Sequence, residues 1–269
     1  MNDRVRITIE DCVADVRLTR PDKLNALDSA MFNALEEAGS ALNQTEGLRA
    51  VVISGEGRGF CAGLDVERMK ALARGESLIP SVDLSRRSHG LANLVQHVVW
   101  QWRELPVPVI AAVHGIAFGG GFQLALAADL RLVHPKTRFS ILETKWGLVP
   151  DMAGTHLMRH LAREDIVREL TYTAREFSAE EALEFGFVTR VVEDPHSAGM
   201  KLAREIAARS PDAIRAAKRL LNMSTLSNAG AMLEAETAEQ ARLIGSENQR
   251  EAVRAGFENR APQFSTPAA

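Results

Sequence analysis

The segment from Val107 to Ala128 constrains the fold of this chain most, because it contains no charged residue. An uncharged stretch of that length could cross a membrane as a helix. It also contains Pro108, His114, Gln123 and three successive glycines, however, and successive glycines break a helix. We therefore predict a buried strand, a tight turn and a buried helix here, with a transmembrane helix as the alternative.

The composition limits the class of protein. The length of 269 residues allows one large domain or two smaller ones, and 46% hydrophobic with 25% charged residues is usual for a globular protein. The net charge of -3 argues against a nucleic-acid partner bound through overall positive charge, although a local basic patch is possible. The two cysteines exclude a disulfide scaffold. No apolar signal core begins the chain, so we expect a cytoplasmic protein that is not bound to a membrane.

The pattern along the chain changes near residue 195. Before it, short apolar runs and amphipathic segments alternate, whereas helical periodicity dominates after it. We therefore expect a core at residues 1–195 and a helical region at residues 196–269. The predicted strands are 5–9, 13–18, 49–54, 109–113, 131–133 and 138–141. The predicted helices include one capped by Asp28 that runs to Leu42, one over 84–102, one opened by the Ser178–Glu181 capping box and ended by Gly186, and one starting at Ser210–Asp212, whereas residues 71–83 look irregular.

Two predicted strands are followed by glycine-rich turns, at residues 59–65 and 114–123. Glycine allows the backbone to approach a ligand closely, and a helix N-terminus has free N–H groups. Two such turns could direct two N–H donors at one oxygen, as in an oxyanion hole. A purely structural role for each turn is the alternative.

These residues resemble the crotonase superfamily, also called the enoyl-CoA hydratase/isomerase family. The matching stretches lie in the same order as in the family and are residues 20–27, 59–65, 114–129, 139–150, 178–192 and 210–218. The resemblance implies an α/β fold: a spiral of ββα units followed by C-terminal helices used in trimerisation. It also implies an acyl-CoA thioester as substrate, so that coenzyme A enters with the substrate and no separate cofactor is expected.

The resemblance also implies roles for particular residues. The backbone N–H groups of Leu64 and Gly120 match the oxyanion-hole donors, which hold the thioester oxygen. Arg260 matches a cation near the C-terminus that sometimes acts in the neighbouring subunit. The other positions implied in binding substrate or coenzyme A are Lys23, Leu24, Ala26, Ala62, Asp65, Val66, Gly119 and Leu142.

The acid–base positions depart from the hydratase pattern. Family hydratases have two glutamates, of which Glu143 is present, whereas Gln123 occupies the place of the other. Glutamine cannot exchange a proton at neutral pH, although it can form hydrogen bonds. Asp151 matches a carboxylate of family members that shift double bonds in dienoyl thioesters. The alternatives are that Glu143 caps a strand end, that Asp151 caps a helix running to Met158, and that Gln123 satisfies buried backbone groups.

Glu143, Asp151 and Gln123 therefore form the candidate catalytic set. It favours double-bond isomerisation over hydration, and a non-catalytic acyl-CoA-binding protein is a third reading. We expect a homotrimer or a dimer of trimers. No metal site is expected, because the His156 and His160 pair lacks the glutamate that a metalloprotease helix needs. Cys61 could be a nucleophile beside the oxyanion hole, although packing is the simpler role.

Overall fold

The computed structural model describes residues 3–77, 79, 82–225 and 227–266. Within these residues, nine strands form two sheets that position the site. The larger sheet has the order β1-β2-β3-β4-β6-β9, with β1 and β2 antiparallel and the other pairs parallel; the smaller sheet has the order β5-β7-β8. The strands are β1 (Val5–Glu10), β2 (Val13–Leu18), β3 (Ala50–Gly55), β4 (Val109–Val113), β5 (Ile116–Phe118), β6 (Leu130–Val133), β7 (Arg138–Ser140), β8 (Glu176–Ser178) and β9 (Arg190–Val191).

Helices follow the strands and dominate the C-terminal part. Two short 3-10 helices cover Pro21–Lys23 and Glu143–Trp146. The α-helices are α1 (Ser29–Asn43), α2 (Val66–Ala73), α3 (Leu94–Glu104), α4 (Gly120–Ala127), α5 (Gly154–Met158), α6 (Glu164–Thr173), α7 (Ala179–Phe185), α8 (Pro195–Ala207), α9 (Pro211–Ser224), α10 (Ala229–Leu243) and α11 (Glu247–Glu258). The expected α/β fold with C-terminal helices is confirmed.

Both faces of the larger sheet are covered, because alternate side chains of each strand point in opposite directions. Val51 and Ile53 of β3 belong to the main core, which α1 and α3 cover, whereas Ala50 and Val52 belong to a second core beneath α8. This explains why the parallel strands are continuous apolar runs. Because α8 packs on the sheet, the part of the chain after residue 195 contributes to its core; the division at that residue remains a prediction.

The uncharged segment forms the predicted strand, turn and helix, together with a second short strand that the sequence did not predict. It forms β4, β5 and α4, and every residue of β4 and α4 is buried. Among the described residues, no helix has the length and apolar character needed to span a membrane. The expected caps are also present: the Asp28 side chain accepts from the Met31 N–H, and Ser178 and Glu181 form the capping box that begins α7.

Two helix predictions were wrong at their ends. The helix expected over 84–102 is α3, which begins only at Leu94 because the Asn93 side chain caps it and also bonds the Leu84 carbonyl in a turn. Residues 71–73 were expected to be irregular but belong to α2. That helix begins after its cap at Asp65 and ends at Ala73. The bonds of Asn93 set the start of α3, and apolar periodicity does not report a local side-chain cap of this kind.

Candidate active site

Two adjoining cavities open beside the smaller sheet. The outer cavity has a volume of about 710 Å³ and the inner cavity about 250 Å³. Both are lined mostly by apolar side chains, as ligand sites usually are. The residues that line both cavities, and therefore mark their junction, are Leu64, Leu72, Gly120, Glu143 and Leu148.

Glycines bring the two glycine-rich turns together at this junction. Gly63 has a φ of +82°, and a Cβ on it would lie 2.6 Å from the Phe118 carbonyl oxygen. A Cβ on Gly121 would lie 2.3 Å from the Cys61 carbonyl oxygen. Because these neighbours are backbone atoms, larger residues would force the two turns apart.

The backbone N–H groups of Leu64 and Gly120 are available at the junction. Gly120 is the first residue of α4, so its N–H has no partner within the helix. The carbonyl of Gly63 accepts from the Leu27 N–H, and in a trans peptide the N–H of Leu64 points the opposite way. Among the described residues, neither N–H donates to another backbone group. An oxyanion hole needs two such unpaired donors, and the assignment of this pair to that role stays a prediction.

Glu143 lies at the same junction with one carboxylate oxygen free. It begins a 3-10 helix and is only 9% exposed. Its Oε1 accepts a hydrogen bond of 2.6 Å from the Gln123 Nε2, whereas its Oε2 is buried and has no partner. Burial raises the pKa of the Glu143 carboxyl, and the nearby charge of Asp151 raises it further. A carboxyl with a pKa raised by burial is suited to exchanging a proton with a substrate.

Gln123 is buried in α4 and does not line either cavity. Its Oε1 accepts from the backbone N–H groups of Met152, at 2.8 Å, and Gly154, at 2.9 Å. All the polar contacts of this amide are therefore within the protein. Of the two roles considered, the structure places Gln123 in the one that satisfies buried backbone groups and not in direct contact with a substrate.

Asp151 lines the inner cavity but is exposed at its rim. The surrounding protein raises the pKa of its carboxyl by desolvation. The alternative role as a helix cap was wrong: α5 begins at Gly154, after Ala153, whose φ is +65°, so that Asp151 lies outside the helix start. Its carboxyl therefore does not cap α5.

The residues expected to bind coenzyme A divide into two groups. Ala62, Val66, Gly119 and Leu142 line the outer cavity. Lys23, Leu24 and Ala26 do not line it; the Leu24 carbonyl instead accepts from the Ala62 N–H at 2.9 Å and so holds the cavity wall.

Asp65 and Arg260 are both held by protein partners. The Asp65 carboxylate accepts from Arg20 at 2.6 Å and from the Glu67 N–H at 2.8 Å, which caps α2. Arg260 follows α11, pairs with Glu251 and Glu258, and does not line either cavity of this protomer. A role of Arg260 in a neighbouring subunit stays a prediction.

Sequence reasoning identified only Val66 of α2, whereas Met69, Lys70, Leu72 and Ala73 of the same helix also line the outer cavity. The signal was present, because Asp65 is a capping residue followed by an amphipathic segment. It also did not identify Phe32 and Val95, which line the inner cavity from α1 and α3. No local pattern distinguishes those two residues from the rest of the core.

Other candidate chemistry lies outside the cavities. Cys61 is fully buried, which raises the pKa of its thiol to about 12, so very little of it is ionised to the nucleophilic thiolate. His156 and His160 make an edge-to-face ring contact. Within the described ranges, no three histidine, cysteine or acidic residues gather as a metal site would require.

Comparisons with known proteins identify the family of the chain. The sequence model of the family Enoyl-CoA hydratase/isomerase matches residues 8–267. A carnitinyl-CoA dehydratase of Salmonella arizonae is 37% identical over 82% of the chain and 80% of the relative, and a 1,2-epoxyphenylacetyl-CoA isomerase of Escherichia coli K12 is 32% identical over 96% of each. The crystal structure of an enoyl-CoA hydratase from Mycobacterium tuberculosis H37Rv matches with a TM-score of 0.83 and 31% identity, over 98% of this chain and 99% of that one.

Proposed function

The chain belongs to the enoyl-CoA hydratase/isomerase family, and we propose that it moves a carbon–carbon double bond within an acyl-CoA thioester. The observation that carries the proposal is Glu143, which lines both cavities and whose buried Oε2 has no hydrogen-bond partner. The acyl group occupies the inner cavity and the thioester lies at the junction. The outer cavity receives the neighbouring part of coenzyme A.

The thioester oxygen accepts hydrogen bonds from the N–H groups of Leu64 and Gly120. When a proton leaves the carbon next to the thioester, negative charge moves to that oxygen as an enolate. The two donors are already oriented by the turns, so they stabilise this charge with little reorganisation. Loss of one such donor typically costs about 2.7–4 kcal/mol of transition-state stabilisation.

Glu143 carries the proton between two carbons. Its ionised Oε2 takes a proton from the α carbon of a 3-enoyl thioester, and the electron pair of the broken C–H bond delocalises onto the thioester oxygen. The same carboxyl returns the proton to the γ carbon, which leaves the double bond at the 2,3 position. A pKa raised by burial favours both steps, because the group must gain and lose the proton at the same pH.

Water addition to a 2-enoyl thioester, or the reverse loss of water, is the second candidate. Asp151 supports it, because Asp151 and Glu143 both line the inner cavity. One carboxyl could then activate water while the other supplies a proton. One relative is named carnitinyl-CoA dehydratase, a name that describes the loss of water from an acyl-CoA. We favour isomerisation because Gln123 replaces one of the two hydratase glutamates.

The proposal extends to the assembly and location of the enzyme. Leu221, Leu233, Ile244 and Phe257 on and beside α9–α11 are between 63% and 82% exposed. These exposed apolar side chains support a homotrimer or a dimer of trimers, because contacts between identical subunits would cover them and closed symmetry is usual for such contacts. Light scattering at micromolar concentration tests this assembly, and a monomer would contradict it. A cytoplasmic location is part of the same proposal.

A turnover screen separates the candidate functions. The purified protein is assayed with 2-enoyl-, 3-enoyl- and dienoyl-CoA thioesters, and acyl-CoA binding is measured by calorimetry in parallel. Faster isomerisation of a 3-enoyl or dienoyl thioester than hydration of any 2-enoyl thioester is the expected result. Faster hydration would establish the second candidate. Binding without turnover of any thioester would indicate a non-catalytic acyl-CoA-binding protein.

A further inference from the structure

The amide of Gln123 is held in one orientation by three hydrogen bonds. Its Oε1 accepts from the N–H groups of Met152 and Gly154, and its Nε2 donates to the Glu143 Oε1. A flipped amide would place its own N–H groups against two backbone N–H donors. The two backbone donors therefore fix which end of the amide faces Glu143.

The site is built around this amide. A Cβ on Gly154 would lie 2.5 Å from the Gln123 Oε1, so a larger residue there would displace this amide from its hydrogen bonds. The segment that Gln123 holds begins directly after Asp151. One buried side chain thus connects the carboxylate at the junction to the segment that carries the second carboxylate of the inner cavity.

The hydrogen bond to Glu143 persists in both protonation states of the carboxyl. Only Oε1 receives the Gln123 Nε2, and Oε2 is free to take the proton. A proton on Oε2 leaves Oε1 able to accept. A glutamate at position 123 would instead place a carboxylate oxygen next to the Glu143 Oε1, where Gln123 has its Nε2 donor. Two carboxylates at hydrogen-bond distance repel each other unless they share a proton.

We propose that Gln123 is a positioning residue that holds the Glu143 carboxylate through Oε1, leaves Oε2 without a protein partner so that it can take the proton, and ties the Asp151 segment to the same amide. This inference rests on the proposed function, because it assigns the proton transfer to Glu143. It goes beyond that function because position 123 is a glutamate in family hydratases. Here the same position has a role that does not involve proton exchange. Gln123 thus contributes to the site through its hydrogen bonds to Glu143, Met152 and Gly154.

The titration of Glu143 tests the proposal independently of turnover. The carboxyl carbons of glutamate are labelled with ¹³C, and the Glu143 resonance is assigned by its loss in Glu143→Gln. The pKa of Glu143 is then measured by NMR in the full-length native protein, in Gln123→Met and in Gln123→Glu. Gln101→Met is the matched control, because Gln101 is another buried glutamine that donates to a backbone carbonyl, that of Leu35, away from the cavities.

In Gln123→Met, the pKa of Glu143 should rise by about one to two pH units, because a hydrogen bond to the ionised form is lost. In Gln123→Glu, Glu143 and the new carboxyl should titrate as a coupled pair, with one proton retained to higher pH. The control should leave the pKa of Glu143 unchanged. The pH profile of kcat on the best thioester should shift in the same direction as the titration.

An unchanged pKa of Glu143 in Gln123→Met would overturn the proposal, even if the enzyme isomerises thioesters as expected. If Gln123→Met does not fold, Gln123→Glu decides alone. In that variant, faster hydration of a 2-enoyl thioester with an unshifted Glu143 titration would show that position 123 faces the substrate, which also overturns the proposal. Absence of turnover in the native protein would refute the proposed function, but the titration would still report on Gln123.

Discussion

Asp151 lines the same inner cavity as Glu143, and its charge raises the pKa of the Glu143 carboxyl. Burial is the larger cause of this increase, and the interaction with Asp151 adds to it. The pKa of Asp151 is also raised by desolvation. Two acidic groups that both favour protonation line a largely apolar cavity, which is the environment that proton transfer to carbon requires.

Replacement of Glu143 by glutamine should lower turnover by on the order of 10²–10⁴-fold, which is the usual contribution of a general acid–base residue. Binding of an acyl-CoA should persist, because the backbone donors and the cavity walls are unchanged. Steady-state kinetics and calorimetry measure the two effects. Glu169→Gln, at an exposed residue of α6 that pairs with Arg175, is the control and should retain activity. Full activity of Glu143→Gln would refute the role of this carboxyl.

Replacement of Asp151 by asparagine removes the charge that adds to the pKa of Glu143. The acidic limb of the kcat profile should therefore move to lower pH. Turnover should fall more on a dienoyl thioester than on a 3-enoyl thioester, because the longer shift uses a second proton carrier. Profiles of both substrates over a range of pH measure this difference. Equal losses on the two substrates with no shift of the profile would assign Asp151 a role outside catalysis.

Glu143 should also make the stability of the protein depend on pH. Its pKa is higher in the folded than in the unfolded state, so its contribution is present below the unfolded pKa and is lost as pH rises through the folded pKa. Glu143→Gln removes this loss. The Tm of the variant relative to the native protein should therefore be higher at about pH 8 than at about pH 4, the latter being close to the ordinary pKa of glutamate. Calorimetry measures the Tm of both proteins at the two pH values. If the Tm difference between Glu143→Gln and the native protein is the same at both, the raised pKa of Glu143 is contradicted.

The two cysteines should react very differently with an alkylating reagent. With a pKa of about 12, Cys61 has a thiolate fraction on the order of 10⁻⁴ at pH 8, and its side chain is buried. Cys12 is partly exposed in the turn between β1 and β2 and serves as the internal control. Mass spectrometry should find one adduct, on Cys12, in the native protein and two after denaturation. Rapid native modification of Cys61 would reopen its role as a nucleophile.

Gly121→Ala should destabilise the protein through the contact between the two glycine-rich turns. The new Cβ would lie 2.3 Å from the Cys61 carbonyl oxygen, and a backbone atom cannot move aside cheaply. A loss of about 1–3 kcal/mol in the free energy of unfolding is typical of such overpacking. Gly256→Ala in α11 is the control, because nothing lies within 4 Å of its Cβ position and alanine favours a helix. Denaturant titration of both variants should give opposite signs.

The sequence by itself determined the elements whose signals are local. Asp28, Ser178 and Gly186 mark helix ends, and each acts through bonds within a few residues of itself. The glycine-rich turns and the positions of Glu143 and Asp151 could also be identified, because residue type and spacing express them directly. Apolar periodicity located most strands to within a residue, since both faces of the larger sheet are buried.

Only the tertiary structure decided which of these residues act together. The bond from Gln123 to Glu143 and those from Met152 and Gly154 to Gln123 join separate segments of chain, and no local pattern reports such distances. The same holds for Phe32 and Val95, which become cavity walls only when α1 and α3 pack beside the glycine-rich turns. The pKa of Glu143 depends on burial and on a neighbouring charge, both of which arise from folding, so the sequence identifies the acid and the fold determines its strength.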